Sequence, residues 1–179
     1  MAAKTFERFG KVDILVNNAG VNNVKPFMDL SEEEWDTVVD TSLKGYYNCC
    51  QAFCKDMLQR KSGSVINMTS VFGAVGLMNL SPYSTSRGGI VLMSKSLAIE
   101  WARSNVRVNA LAPSYMRAGL GYKDIESNEM VLKLNLRMIP MKRGGEAWEI
   151  HGPALFLASD ASTFVTGTVL FVDGGWTAM

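Results

Sequence analysis

Val12-Asp13-Ile14-Leu15-Val16-Asn17-Asn18-Ala19-Gly20 is a short apolar run that stops in a cluster of small, turn-forming residues. A β-branched run of this length, ended by turn residues, reads as a strand buried in a parallel sheet. Three further runs repeat the pattern: Ser64-Val65-Ile66-Asn67-Met68, Val106-Arg107-Val108-Asn109-Ala110 and Thr168-Val169-Leu170-Phe171-Val172. Each is followed by residues of the same kind: Thr69-Ser70, Leu111-Ala112-Pro113-Ser114-Tyr115 and Asp173-Gly174-Gly175.

Helical patterns lie between the runs. Ser31-Glu32-Glu33-Glu34 is a capping box that opens a helix reaching Gln59. Ser81-Pro82 places a cap residue before a proline at a first helical position, opening a helix over 82–104. A third helix is expected from Glu146 to Ala158, and one or two short ones between Tyr115 and Met141. Ala2 to Phe9 reads as the tail of a helix. Strand and helix alternate, so the expected fold is α/β. It is a partial Rossmann-like, doubly wound parallel sheet of about four strands flanked by helices. The 82–104 helix is apolar nearly all round, at Ile90, Val91, Leu92, Met93, Leu97, Ala98, Ile99, Trp101 and Ala102. Such a helix is expected to be buried on two sides, one against the sheet and the other against a second subunit or against its own chain.

The 179 residues are 47% apolar and 20% charged with a net charge of +1, as in a single globular domain without a basic nucleic-acid footprint. No run approaches a membrane span, and Met1-Ala2-Ala3-Lys4 opens no secretory signal. Cys49, Cys50 and Cys54 fall in one helix and read as reduced thiols of a cytoplasmic protein. With His151 the only histidine, no metal site is expected. Asn67-Met68-Thr69 matches a glycosylation pattern by accident.

In open α/β sheets ligands bind beyond the carboxyl ends of the strands. Ser70 stands there, thirteen positions before Tyr83. Tyr83 and Arg87, four apart on a helix, share one face. A cation beside a phenol favours the ionised form, which is what a tyrosine needs to act as acid or base near neutral pH. Ser70 could hydrogen-bond a substrate carbonyl while Tyr83 passes the proton.

Together, Asn17-Asn18-Ala19-Gly20, Ser70, Tyr83, Arg107-Val108-Asn109-Ala110, Val165-Thr166-Gly167 and Val172-Asp173-Gly174-Gly175-Trp176 resemble the short-chain dehydrogenase/reductase family. The resemblance runs from about residue 4 to the end. Val12 to Pro26 and Leu157 to Ala178 look most like the gluconate 5-dehydrogenase and sugar-acid dehydrogenase branch. The resemblance implies hydride transfer between a small-molecule alcohol or ketone and NAD or NADP. It implies Ser70, Tyr83, Arg87 and Ser42 as catalytic positions. Asn17, Ala19, Gly20, Tyr83, Arg87, Pro113 and Ser114 would meet the cofactor. A substrate lid would run to about Met138, and a homo-oligomer would form through helices 32–59 and 82–104.

The sequence departs from the family pattern at this site. The family's lysine is Arg87, its asparagine is Ser42, a loop glycine is Ser114, and a threonine against the nicotinamide is Ala118. Arginine keeps the charge but hardly ever releases its proton, so a relay through it is in doubt. The family also opens with a strand, a glycine-rich turn and a helix that cradles the pyrophosphate, about 60 residues by average element lengths. The domain over 1–179 is expected to lack that first βαβ unit, leaving the Val12 strand as an apolar edge and cofactor binding by this chain poor or absent. Three readings follow: an oxidoreductase impaired in this chain, a non-catalytic packing partner in an oligomer, or an inactive fragment.

Overall fold

The computed structural model describes residues 1–178. Four parallel strands, β1 (Ile14–Asn17), β2 (Gly63–Met68), β3 (Val106–Pro113) and β4 (Val169–Val172), lie side by side in the order β1-β2-β3-β4. Ile14 stands opposite Ser64, Gly63 opposite Val106, and Ala110 opposite Val169. All four expected strands are present and parallel, with ends shifted by up to three residues.

The helices are α1 (Ala2–Phe9), α2 (Glu32–Val39), α3 (Gly45–Arg60), α4 (Ser81–Trp101), α5 (Tyr122–Ser127), α6 (Glu129–Met138) and α7 (His151–Ala158). The expected 32–59 helix is α2 and α3 joined by a wide π turn over Asp40–Lys44. The 82–104 helix ends at Trp101 and continues as a 3₁₀ turn over Ala102–Ser104. The Ser31 capping box forms: Ser31 Oγ accepts from the Glu34 amide at 3.2 Å and Glu34 Oε2 accepts from the Ser31 amide at 2.9 Å. Ser81 is a correction. It is the first helical residue, Leu80 is the cap, and the Ser81 hydroxyl has no partner among the described residues. The 146–158 segment starts as a 3₁₀ turn and becomes α7 at His151.

Strand alternation sorts the core onto two faces. Val65, Val106 and Val108 pack with Cys50, Cys54 and Met57 of α3 and Ala98 of α4. Ile66 and Leu111 pack with Leu157 of α7 on the other face. β2 begins at a glycine because α3 comes close: a Cβ on Gly63 would stand 2.6 Å from Met57 Sδ. Arg107 reaches from β3 to the end of α7, donating to the carbonyls of Leu157 and Ser159 at 3.0 and 3.2 Å, where free carbonyls and the helix dipole favour a cation.

A buried amide chain stitches β1, β2 and α4. Asn17 Nδ2 donates to Asn67 Oδ1 at 2.8 Å, Asn67 Nδ2 to Ser94 Oγ at 2.9 Å, and Ser94 Oγ to the Ile90 carbonyl at 2.7 Å. Asn67 is fully buried, which rules it out as a glycan acceptor. β1 is the sheet edge, and Ile14 and Val16 are 46% and 53% exposed. On α4, Ile90, Ser94 and Ala98 are buried, whereas Leu92 and Ile99 are 66% and 80% exposed. The chain itself therefore covers only one side of this apolar helix.

Candidate active site

The carboxyl ends of the strands deliver Gly20, Ser70, Ser114 and Asp173 to one end of the sheet, and the first turns of α4 deliver Tyr83 and Arg87. Asp173 fixes the last of these loops. Its carboxylate accepts from the Gly175 amide at 2.9 Å and from the Thr177 amide and hydroxyl at 2.9 and 2.7 Å.

Arg87 lies over Tyr83, with Cζ 4.7 Å from the ring centroid. A guanidinium over a phenol face is a favourable cation–π arrangement. The side chain is 4% exposed, and no carboxylate pairs with it among the described residues. Its Nη1 donates to the Met68 carbonyl at 2.9 Å and to Tyr46 Oη at 3.4 Å. Tyr46 Oη in turn donates to the same carbonyl at 3.2 Å. Thr69 Oγ1 donates to the Arg87 carbonyl at 2.9 Å, locking this turn of α4 to the end of β2. The guanidinium fits because residue 20 is glycine: a Cβ there would stand 2.2 Å from Arg87 Nη2.

Ser70 Oγ accepts from the Phe72 amide at 3.3 Å, and its hydroxyl hydrogen has no acceptor among the described residues. Phe72 then stands edge-on to both Tyr83 and Trp176, with centroids 6.4 and 5.5 Å apart. Ser70 and Tyr83 thus meet at one residue, Ser70 at the Phe72 amide and Tyr83 at the Phe72 ring. The segment expected to form a lid packs at the same end. Leu132 and Leu136 of α6 pack with Val71, Tyr115, Ile139 and Trp176. Tyr115 Oη donates to Glu126 at 2.5 Å, and Arg117 pairs with Glu126 and Glu146 at 3.6 and 3.3 Å. Burial, and then the Glu126 carboxylate, push the Tyr115 phenol up, so it stays a donor.

Of the residues expected to catalyse, Tyr83 and Arg87 touch, and Ser42 reaches the same position at Gly20 that the guanidinium does. Of those expected to meet a cofactor, Ala19 is exposed, Gly20, Pro113 and Ser114 are half-buried, and Asn17 is buried. Its amide is committed to Asn67 and to Cys50 Sγ, so Asn17 is a strut between strands and helix α3. Ala118, expected beside the cofactor's amide, is half-buried in the lid. Tyr46 was not anticipated. The signal was available: it lies four residues after Ser42 and four before Cys50, on the buried stripe of one helical run. Burial pushes its phenol up against the pull of Arg87, so it remains a hydroxyl able to donate and accept together.

This geometry has close relatives. Residues 1–177 match the family model described as Enoyl-(Acyl carrier protein) reductase. The chain is 38% identical over 177 residues to the 3-oxoacyl-(acyl-carrier-protein) reductase FabG of Staphylococcus epidermidis, covering 98% of this chain and 70% of the relative. The chain belongs to the short-chain dehydrogenase/reductase family. Among solved members, a gluconate 5-dehydrogenase from Burkholderia cenocepacia in complex with NADP and tartrate superposes with a TM-score of 0.96 at 33% identity, over 99% of this chain and 69% of that one. Levodione reductase superposes with a TM-score of 0.92 at 34% identity, over 98% and 70%. As a short-chain dehydrogenase/reductase the chain is of an oxidoreductase family. Its resident cofactor would be a nicotinamide dinucleotide, and the fit is mixed. Small residues at Ala19, Gly20, Pro113 and Ser114 leave room at the strand ends, but both Nη1 hydrogen bonds of Arg87 run inward, and Nη2 lies against Gly20.

Proposed function

We propose that this chain carries the acid/base half of an NAD(P)-linked alcohol/ketone oxidoreductase site, and that its grip on the cofactor is weak. The observation that carries the reading is the Arg87 guanidinium stacked on Tyr83 at the carboxyl ends of the strands, with Ser70 linked to Tyr83 through Phe72. Tyr83 gives a proton to the carbonyl oxygen of a ketone, or takes one from an alcohol. Ser70, whose hydrogen is free, orients that oxygen. Arg87 supplies a fixed positive charge without entering a relay, since guanidinium does not release its proton. The hydride would be accepted or supplied by a bound nicotinamide. Ala19, Gly20, Pro113 and Ser114 are the residues that would border it, and the Nη1 donors of Arg87 are already committed inward to Met68 and Tyr46.

The solved relatives in the gluconate dehydrogenase branch support polyhydroxylated acids as a first substrate class, and the 3-oxoacyl relatives support 3-oxo thioesters as a second. Three free cysteines in α3 support a reducing, cytoplasmic setting. The test is NADPH consumption with both substrate classes at saturating cofactor. Tyr83→Phe should abolish whatever turnover the chain shows, and an undiminished rate in that variant would remove Tyr83 as the acid/base.

One observation favours a second reading, a packing partner in a homo-oligomer. Leu92 and Ile99 on α4, with Tyr47 on α3, are large apolar side chains left uncovered on the two helices expected to pair. The two readings are compatible, because this surface lies on the far side of α4 from Ile90 and Ser94.

A further inference from the structure

We propose that Ser42 is a positioning residue, and that it acts by being small. Its short side chain makes the room in which the Arg87 guanidinium lies inward over Tyr83. The functional consequence rests on the reading of Tyr83 above, whereas the geometry does not.

The loop after β1 at Gly20 and α3 at Tyr46 adjoin the guanidinium, and the π turn brings Ser42 to the same side of Gly20. The one empty position at Gly20 is approached by both neighbours. A Cβ there would lie 2.2 Å from Arg87 Nη2 and 3.5 Å from Ser42 Oγ. Ser42 is fully buried, yet its hydroxyl has no hydrogen-bond partner among the described residues. Buried hydroxyls are normally paired, so the polarity of this serine serves no contact here and what remains is its volume. Arg87 Nε is likewise without a partner, so the guanidinium is held by its two Nη1 bonds, by the ring face and by the walls of its seat.

The turn that presents Ser42 is also unusual. A π turn widens the helix by one residue and re-aims a side chain, and such turns collect at functional sites. Here it joins α2 to α3 and puts the small residue inward, with Lys44 and Asp40 paired on the outside at 3.3 Å. A larger polar residue at 42, such as asparagine, would place its amide head in the seat. The guanidinium would then have to leave the Tyr83 face or the turn would have to open.

The test is a thermal-unfolding cycle on the 179-residue chain with Ser42→Asn, Arg87→Lys, the double variant and Ser42→Ala. Overpacking at 42 should lower the midpoint by about 5 °C when Arg87 is present. In the Arg87→Lys background the slimmer ammonium should relieve the clash, so that adding Ser42→Asn shifts the midpoint by about 1 °C at most. Ser42→Ala should leave the midpoint unchanged or slightly raised, because an unpaired buried hydroxyl is removed. Equal losses from Ser42→Asn in both backgrounds would overturn the proposal, as would a loss from Ser42→Ala matching that of Ser42→Asn. If Ser42→Asn alone fails to fold, a folded double variant supports the seat, and failure of both overturns it. None of these measurements reads turnover. A Tyr83→Phe variant with full activity would leave the seat intact, and an additive cycle would leave Tyr83 as the acid/base.

Discussion

At Arg87 the structure turns a sequence motif into a specific posture. The four-residue spacing of Tyr83 and Arg87 was enough to place cation and phenol together, because helical periodicity alone dictates it. That the guanidinium turns inward was not legible, since the groups that seat it come from residues 20, 42, 46 and 68, distant in the chain. Two substitutions test the posture. Tyr46→Phe removes the hydroxyl that accepts from Nη1 and should cost about 1 kcal/mol, read as a drop of about 3 °C in melting temperature. Gly20→Ala puts a methyl on top of Nη2 and should cost more, about 2 kcal/mol or above, because the guanidinium has backbone and aromatic walls on its other sides. In an Arg87→Ala background the same Gly20→Ala change should cost little, and an undiminished cost there would show that the seat is misassigned.

Among the elements, those with local signals were the readable ones. The Ser31 box formed as its residues dictate, whereas Ser81-Pro82 misled because the helix begins one residue early and leaves the serine hydroxyl without a partner. The π turn had no local signal, since the turn packs on α4, with Leu43 against Gly89, residues far apart in the chain. The caps also set an acid dependence. The Ser31 backbone amide, helped by Lys25, holds Glu34 down at about 2, and Arg143, helped by the Glu146 amide, holds Glu149 at about 2. Both lie below their ordinary value of 4.5, so the unfolded chain takes up these protons first as pH falls. Their contribution is complete above about 4.5 and is lost as pH drops through about 2. The urea midpoint should therefore fall across that window, and Glu34→Gln with Glu149→Gln should flatten the fall. A slope unchanged in the double variant would mean that other carboxylates govern acid unfolding.

For the whole molecule, the four parallel strands were legible because each is an apolar run closed by turn residues, and their order follows from consecutive crossovers. The edge position of β1 leaves Ile14 and Val16 in the open, and α4 leaves Leu92 and Ile99. Exposed apolar surface of this kind favours association. Native mass measurement should find a multimer, and Leu92→Glu with Ile99→Glu should shift it toward monomer; an unchanged mass would place the contact elsewhere. If Arg87, with its Nη1 hydrogen bonds directed to Met68 and Tyr46, offers a nicotinamide cofactor little grip, the affinity of the chain for that cofactor should be low. Fluorescence titration of the purified chain with NADPH, and then NADH, addresses it directly. No saturation is expected in the micromolar range for either, and saturable micromolar binding of one of them by the unaltered chain would refute a weak grip on the cofactor.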